Sequence, residues 1–320
     1  MNFRYIGKKR RAKEDARFVA VRGRYAADIA LPQMQHVALV TSPYPCARIK
    51  AIRKDKALAV AGCAYVLAGD ELAAATDPLF VGVDAPLVRR YPLAVGVARY
   101  AGEWVVAVVA ESRAAAEDAA EKVEIDYEPL PYNVDAEKAL DAATPLVHPD
   151  HASNLLYQRR FVWGPVEEDF ERAQHRLSFR ARWHRSATVP IETFAVLASW
   201  DAGREILDVW ASIQMPKFPD QTARALRLPG NAVRVNFDVD VGGSYGVKRG
   251  IKHTVLVGYL AMKTGLPVRL VEDRLENMRG GDMHGPDRIF DLQITFNTNT
   301  TKTKPLIQIV AFHFDEQAIG

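Results

Sequence analysis

The segment Trp104–Ala110 reads WVVAVVA, seven apolar residues without a polar interruption. Such a run is typical of a β-strand that is covered on both faces, because neither side of the strand then needs polar residues. Residues 112–121 follow at once, are rich in alanine and glutamate, and favour a helix. Residues 123–127 then alternate in the manner of a half-buried strand. The first third of the chain is therefore predicted to be mixed α and β, around a covered sheet.

The rest of the chain continues this mixture of elements. Strands are predicted at residues 35–41, 63–67, 177–184, 193–200, 206–212, 232–239, 268–271 and 306–314. Helices are predicted at residues 167–174, 221–227 and 248–264, with Asp220 as the cap of the second and Gly265 as the end of the third. Residues 132–160 are polar and are expected to form a surface connection with one short helix. The polar segment 298–304 is expected to be the tip of a hairpin.

Composition sets limits on the class of protein. The 320 residues suggest about two domains, and 48% hydrophobic with 25% charged residues is ordinary for a globular protein. The 42 basic and 39 acidic side chains are interspersed, so no nucleic-acid partner is expected. No apolar run approaches the ~20 residues of a membrane span, and no apolar core follows the N-terminal charges. We therefore expect a cytoplasmic protein without a membrane partner.

The two cysteines, Cys46 and Cys63, are not in CxxC spacing. Two thiols alone cannot hold an iron–sulfur cluster. Both are expected to be reduced, partly buried residues.

The segment Gly242–Gly246 (GGSYG) is the best local candidate for a binding site. Glycines permit a positive φ and a close approach of the backbone to a ligand, and N–H groups at the start of a helix favour anions. The pattern is neither GxGxxG nor a P-loop. A tight turn that packs a helix against a sheet explains it equally well.

Other polar residues carry weaker indications. Gln214 follows a predicted strand and could hydrogen-bond a ligand, although a solvated loop residue is the simpler interpretation. Glu192 lies among apolar residues and could be a buried hydrogen-bond partner, a residue that supports a ligand, or the wet end of a strand. Residues 272–276 are interpreted as a solvated start of a helix. The histidines His184, His253 and His284 lack metal-ligand spacing, so each is expected to be structural.

Several longer motifs, taken in order, resemble one family. They are Ile6–Lys8, Val21–Ile29, Ser42–Ile49, Arg99–Glu111, Asp126–Pro131, Trp210–Pro216, Asp240–Lys248 and Pro267–Arg274. This order resembles the N-terminal half of the molybdopterin-binding large subunit of the xanthine dehydrogenase, aldehyde oxidase and aerobic carbon monoxide dehydrogenase family. The resemblance covers nearly the whole chain.

The resemblance implies an α+β fold with two parts. An a/b hammerhead domain is expected at residues 1–135, followed by a connecting segment at 136–160. The first, incomplete part of a molybdopterin-binding domain is expected at residues 161–320.

The resemblance also implies roles for particular residues. Gln214 would hydrogen-bond a ligand oxygen of molybdenum, and the glycine loop would lie against the metal and the pterin; its residues are Gly242, Gly243, Ser244, Tyr245 and Gly246. No residue of the chain is expected to ligate the metal or to act as the catalytic base, because the family's general-base glutamate lies further toward the C-terminus. Tyr245 replaces the usual phenylalanine. Arg249 stands where xanthine-oxidising members carry a glutamate, which argues against a purine bound in the xanthine manner.

The implied activity is oxidative hydroxylation of an aldehyde, an N-heterocycle or a similar carbon centre with oxygen from water. The implied cofactor is Mo-molybdopterin, in the cytosine dinucleotide form, with FAD on a medium subunit and [2Fe–2S] centres on a small subunit. Family large subunits are much longer, so the chain is expected to need the remaining half, or a separate C-terminal chain, and to be inactive alone. The alternatives are a non-catalytic remnant or subunit-binding module without molybdenum, and a phosphate- or nucleotide-binding protein that uses the glycine loop.

Overall fold

A computed structural model describes residues 3–79, 88–184, 186, 188–280, 287–299 and 306–319, with residues 299 and 306–319 described by their backbone alone. The strands are β1 (Gln35–Thr41), β2 (Ala47–Arg53), β3 (Cys63–Ala68), β4 (Val97–Ala98), β5 (Trp104–Ala110), β6 (Glu124–Pro129), β7 (His175–Trp183), β8 (Ala195–Asp201), β9 (Ile206–Ala211), β10 (Val233–Val235), β11 (Val268–Val271), β12 (Asp287–Asn299) and β13 (Leu306–Ile319). The helices are α1 (Asp15–Val19), α2 (Asp55–Leu58), α3 (Gly69–Ala75), α4 (Arg113–Ala120), α5 (Val166–Arg172), α6 (Phe218–Ala225), α7 (Ile251–Thr264) and α8 (Arg274–Arg279).

A seven-stranded mixed sheet forms the centre of the molecule, in the order β10-β9-β8-β11-β1-β5-β3. All seven residues of β5 are fully buried, so the continuous apolar run is confirmed as a strand covered on both faces. Strand β1 pairs antiparallel with β5 on one side and parallel with β11 on the other, where Gln35 lies beside Val268. One sheet therefore joins strands from the first third of the chain to strands from its second half.

Helices cover the sheet and close the core. Helix α4 packs against β1 and β5; it begins where Ser112 Oγ accepts a hydrogen bond from Ala115 N at 3.1 Å. Helix α7 packs against β8 and buries Leu256 and Leu260 completely. Burial of each leucine contributes about 1.5–3 kcal/mol. Gly265, with φ +68°, ends α7 as predicted.

Two smaller sheets, β4-β2-β6 and β13-β12-β7, complete the architecture. The predicted hairpin is confirmed as β12 and β13, which pair antiparallel from Asp287 beside Ile319 to Asn299 beside Leu306. Most of its predicted tip, residues 300–304, lies outside the described residues. The α+β class predicted from the sequence is thus confirmed.

Several predicted boundaries are wrong, for local reasons. Strand β10 ends at Val235; Asn236 N still donates to Val209 O of β9 at 2.8 Å, and by Asp240 the chain instead forms a bridge with Tyr25 of the N-terminal segment. Helix α7 begins at Ile251, because Gly250 before it has φ +72°, which is incompatible with a right-handed helix. Helix α6 begins at Phe218, so Asp220 lies in its first turn and does not cap it.

Residues 132–160 contain no helix. The short helix predicted there is replaced by isolated turns, one of which is closed by Ala139 N donating to Ala136 O at 3.2 Å.

Among the helices of the described ranges, none combines the length and the apolar character needed to cross a bilayer.

Candidate functional site

The glycine loop, Gly242–Gly246, leaves a row of backbone donors free. Gly243, Tyr245 and Gly246 have φ of +89°, +53° and +102°, so three of its five residues are in the left-handed region. The N–H groups of residues 243–246 make no hydrogen bond within the described part of the chain. Successive N–H groups in such a conformation form a concavity that suits an anion or a ligand rich in oxygen atoms.

The first residue of the loop must be glycine because the chain passes very close to Glu192. A Cβ placed on Gly242 would lie 2.6 Å from the Cβ of Glu192, which is closer than two such atoms can approach. The N–H of Gly242 donates to Oε2 of Glu192 at 2.6 Å. Glu192 is thus a mostly buried hydrogen-bond partner, which is one of the three interpretations that the sequence left open.

Lys248 forms a buried ion pair with the same carboxylate. Its Nζ donates to Oε2 of Glu192 at 2.5 Å, with 0% of the lysine side chain and 14% of the glutamate side chain exposed. Burial lowers the pKa of Lys248, and the hydrogen bond and charge of Glu192 oppose that change. Oε1 of Glu192 is buried and has no partner among the described residues.

Gln214 lies next to this pair, shortly after β9 ends at Ala211. Its backbone N–H donates to the carbonyl oxygen of Lys248 at 3.1 Å. Its side chain is exposed and makes no hydrogen bond within the parts of the chain that are described. Lys248 therefore lies between the two sequence-predicted elements of the site, Gln214 and the glycine loop.

The N-terminal segment holds the chain just before the loop. Nη1 and Nη2 of Arg17 donate to Oδ2 and Oδ1 of Asp240, at 2.5 and 2.6 Å. The backbone N–H of Arg24 donates to Oδ2 of the same carboxylate at 2.8 Å. The hydrogen bond from Arg17 is the main cause that lowers the pKa of Asp240 to about 2. Tyr25 and Asp240 also form a parallel β-bridge. Sequence reasoning missed this anchor, because nothing in the local pattern links residues so far apart.

A buried pair, His253 and Glu272, joins α7 to the chain that follows β11. Nε2 of His253 lies 2.6 Å from Oε1 of Glu272, and the backbone N–H of Glu272 donates to Phe194 O at 3.0 Å. The prediction of a solvated Glu272 is wrong. Burial alternates along β11, and Glu272, the next residue, continues on the buried face; that alternation was readable in the sequence.

The other residues that the sequence analysis singled out lie at the surface or are partly buried. Tyr245 is 67% exposed and Arg249 is exposed beside the loop. Cys46 and Cys63 are free and half-buried, as predicted, and burial raises the pKa of both thiols. Within the described ranges, no group of three or more His, Cys, Asp or Glu side chains could hold a metal ion. His284 lies outside those ranges.

The expected position of the glycine loop at the start of a helix is wrong. Residues 247–250 separate the loop from α7, so its free N–H groups do not belong to the first turn of that helix. The binding capacity of the loop comes from its left-handed residues and not from a helix dipole.

Comparisons with known proteins identify both halves of the chain. A family model described as the molybdopterin cofactor-binding domain matches residues 147–310. A second, described as the a/b hammerhead domain of aldehyde oxidase and xanthine dehydrogenase, matches residues 20–131.

Individual relatives agree with these models. The chain is 31% identical to the nicotine 6-hydroxylase large subunit of Paenarthrobacter nicotinovorans, over 98% of this chain and 39% of that protein. It is 32% identical to the carbon monoxide dehydrogenase large chain of Afipia carboxidovorans, over 85% of this chain and 35% of that protein. The crystal structure of quinoline 2-oxidoreductase from Pseudomonas putida 86 superposes with a TM-score of 0.80 at 30% identity, over 89% of this chain and 36% of that one. The chain thus spans well under half the length of these relatives.

Proposed function

This chain belongs to the family of molybdopterin-binding large subunits of xanthine dehydrogenases, aldehyde oxidases and aerobic carbon monoxide dehydrogenases, and we propose from that membership that it supplies the N-terminal part of a Mo-molybdopterin site. The observation that carries the proposal is the row of free N–H groups at residues 243–246, together with the free amide of Gln214, whose backbone is linked to the loop through Lys248. An oxygen-rich, anionic cofactor needs donors of this kind, so the residues fit the group.

The proposed roles are positional. The backbone of Gly242, Gly243, Ser244, Tyr245 and Gly246 lies against the cofactor, and the free N–H groups of residues 243–246 donate hydrogen bonds to it. The amide of Gln214 donates to an oxygen ligand of the metal. No side chain of this chain ligates the metal or acts as the general base in this proposal.

The proposed domain organisation follows the same membership. Residues 1–135 form the a/b hammerhead domain, residues 136–160 connect, and residues 161–320 begin the cofactor-binding domain. The matched ranges 20–131 and 147–310 support this division. Because β1, β3 and β5 share a sheet with strands of the second part, the two parts are expected to fold together.

The proposed reaction belongs to the assembled subunit. When bound, Mo-molybdopterin supplies the chemistry for oxidative hydroxylation of an aldehyde, an N-heterocycle or a similar carbon centre with oxygen derived from water. This chain's residues hold and orient that centre. The cytosine dinucleotide form is the proposed form of the cofactor.

The proposed partners complete the enzyme. They are the remaining part of the large subunit, an FAD-binding medium subunit and a small subunit with [2Fe–2S] centres. The share of each relative that the chain covers, 39% and 35%, supports the need for a further part. We expect the chain alone to be inactive.

Metal analysis tests this proposal. The purified chain would be assayed for molybdenum by inductively coupled plasma mass spectrometry, alone and after co-expression with its genomic neighbours. Near-stoichiometric metal only after co-expression is the expected result. Absence of molybdenum in both preparations would contradict the proposal and would favour a non-catalytic, subunit-binding chain.

Two matched pairs of variants test the proposed residues. Gly243→Ala should lower the molybdenum content, because residue 243 has φ +89° in the binding loop; Gly164→Ala, at φ +75° with open space around it, is its control. Gln214→Ala should lower turnover or molybdenum content, whereas Gln158→Ala, at another exposed glutamine, should not. Equal effects of a variant and its control would contradict the assignment.

A further inference from the structure

Lys248 connects the parts of the candidate site through both its backbone and its side chain. Its backbone N–H donates to Ser244 Oγ at 3.1 Å, and its carbonyl oxygen accepts from Gln214 N at 3.1 Å. Its ammonium reaches Glu192, whose same oxygen accepts from Gly242. No other residue among those described contacts all of these groups.

The side chain of Lys248 acts on the loop only through Glu192. Oε2 of Glu192 accepts from Lys248 Nζ at 2.5 Å and from Gly242 N at 2.6 Å, so one oxygen atom joins the lysine to the loop. The backbone N–H of Glu192 also donates to Gly242 O at 3.4 Å. The position of this carboxylate therefore decides the direction of the first N–H of the loop.

A buried charge of this kind is costly unless it is paired. The ammonium is wholly excluded from solvent and the carboxylate nearly so. Removing one partner of a buried pair leaves the other charge uncompensated, whereas removing both charges together is far better tolerated. If the pair existed only to fill space, an uncharged side chain of similar length would replace the lysine without effect on the loop.

We propose that Lys248 is a positioning residue: its ammonium holds the Glu192 carboxylate where Oε2 directs the Gly242 N–H, and it thereby sets the geometry of the glycine loop. The link from loop geometry to cofactor retention rests on the proposed function. The link from Lys248 to loop geometry does not.

Hydrogen exchange of the full chain tests the first link without any cofactor. The reporters are the hydrogen-bonded amides of Gly242, Val247 and Lys248, read against the buried amides of β5. Lys248→Met keeps the length of the side chain and removes the charge. We expect it to speed exchange at the reporters by about tenfold, because an unpaired Glu192 turns toward solvent and releases Gly242. Exchange in β5 should stay unchanged.

A double variant distinguishes positioning from packing. In Lys248→Met with Glu192→Gln, the glutamine oxygen still accepts from Gly242 and no charge is buried, so exchange should return to near the wild-type rate. Lys217→Met, at an exposed lysine, is the control and should match wild type. Wild-type exchange in Lys248→Met overturns the proposal. Equally fast exchange in the single and double variants, with β5 also faster, overturns it as well, since packing alone would then explain the effect.

Molybdenum retention tests the second link in the co-expressed subunit. Lys248→Met should lose metal during gel filtration faster than wild type, and the double variant should recover retention. Faster exchange together with unchanged retention would overturn only the link to the cofactor. Absence of molybdenum from the wild-type protein would instead count against the proposed function, so the two failures are distinguishable.

Discussion

Nε2 of His253 lies 2.6 Å from Oε1 of Glu272, and neither side chain has any exposed surface. Burial alone would raise the pKa of Glu272, but the charge and hydrogen bond of His253, with a further hydrogen bond from Asn277, lower it. The carboxylate is therefore the ionised acceptor of two donors. This pair joins α7 to the chain that follows β11.

Replacing Glu272 should destabilise the protein strongly. Glu272→Ala leaves His253 and Asn277 buried without their shared acceptor, so we expect a loss of about 3–5 kcal/mol in the free energy of unfolding. Urea unfolding followed by circular dichroism measures it. Glu171→Ala, at an exposed glutamate of α5, is the control and should change stability by less than about 0.5 kcal/mol. Similar losses in both variants would contradict the buried pair.

Gly250 should not tolerate a side chain. It has φ +72°, and a Cβ there would lie 2.7 Å from Ile213 Cγ2 and 2.8 Å from Phe194 Cζ. We expect Gly250→Ala to cost about 2–4 kcal/mol, from left-handed strain and overpacking together. The shift of the thermal unfolding midpoint measures this cost. Gly230→Ala, where nothing lies within 4 Å, should leave the midpoint nearly unchanged, and a large shift there would undermine the steric argument.

Asp240 should make stability depend on acid pH. Its folded pKa is about 2, against an unfolded value of about 3.9. A lowered carboxyl pKa contributes stability that is complete above the unfolded value and is lost as the pH falls toward the folded value. The gap in unfolding free energy between wild type and Asp240→Asn should thus shrink from pH 5 toward pH 2.5. Asp118→Asn, at an exposed carboxyl of α4, should retain the wild-type pH dependence; a constant gap for Asp240→Asn would refute the assignment.

Asp273 should be replaceable only by another capping residue. Its side chain accepts from Glu276 N at 2.7 Å, and its backbone N–H donates to Oε2 of Glu276 at 2.8 Å; the two bonds form a capping box at the start of α8. Asp273→Ala should cost about 1 kcal/mol, whereas Asp273→Asn should retain most of the cap. Equal midpoints of denaturant unfolding for the two variants would contradict this role.

The sequence predicted elements well where one local pattern decides the outcome. Strand β5 was predicted to the residue, because an uninterrupted run of seven apolar side chains is typical of a strand between two covering layers. Helix α4 was predicted because residues 112–121 are rich in alanine and glutamate; the Ser112 cap is seen only in the structure. Prediction failed where distant residues are involved: the strand expected at residues 232–239 ends at Val235, and Asp240 beyond it is bound by Arg17, which lies 223 positions away.

The residues of the candidate site divide in the same way: some could be predicted from the local sequence, and others depend on distant contacts. Glycine spacing pointed to a loop at residues 242–246, and Glu192 stood out as an acid among apolar residues. The ammonium that pairs with Glu192 could not be foreseen, since Lys248 stood in a predicted helix start and lysine is ordinarily exposed. The structure shows that Lys248 is buried together with its partner Glu192, a pairing between residues 56 positions apart.

The parallel pairing of β1 with β11 has a consequence for synthesis. When β1 and β5 leave the ribosome, β11 has not yet been made, so one edge of β1 has no partner in the central sheet. Such an edge invites pairing with another chain, and closing so long a loop is slow. The nascent N-terminal third is therefore exposed to aggregation through this edge until residue 271 has emerged, and a ribosome-bound chaperone that covers it would protect the chain during that interval.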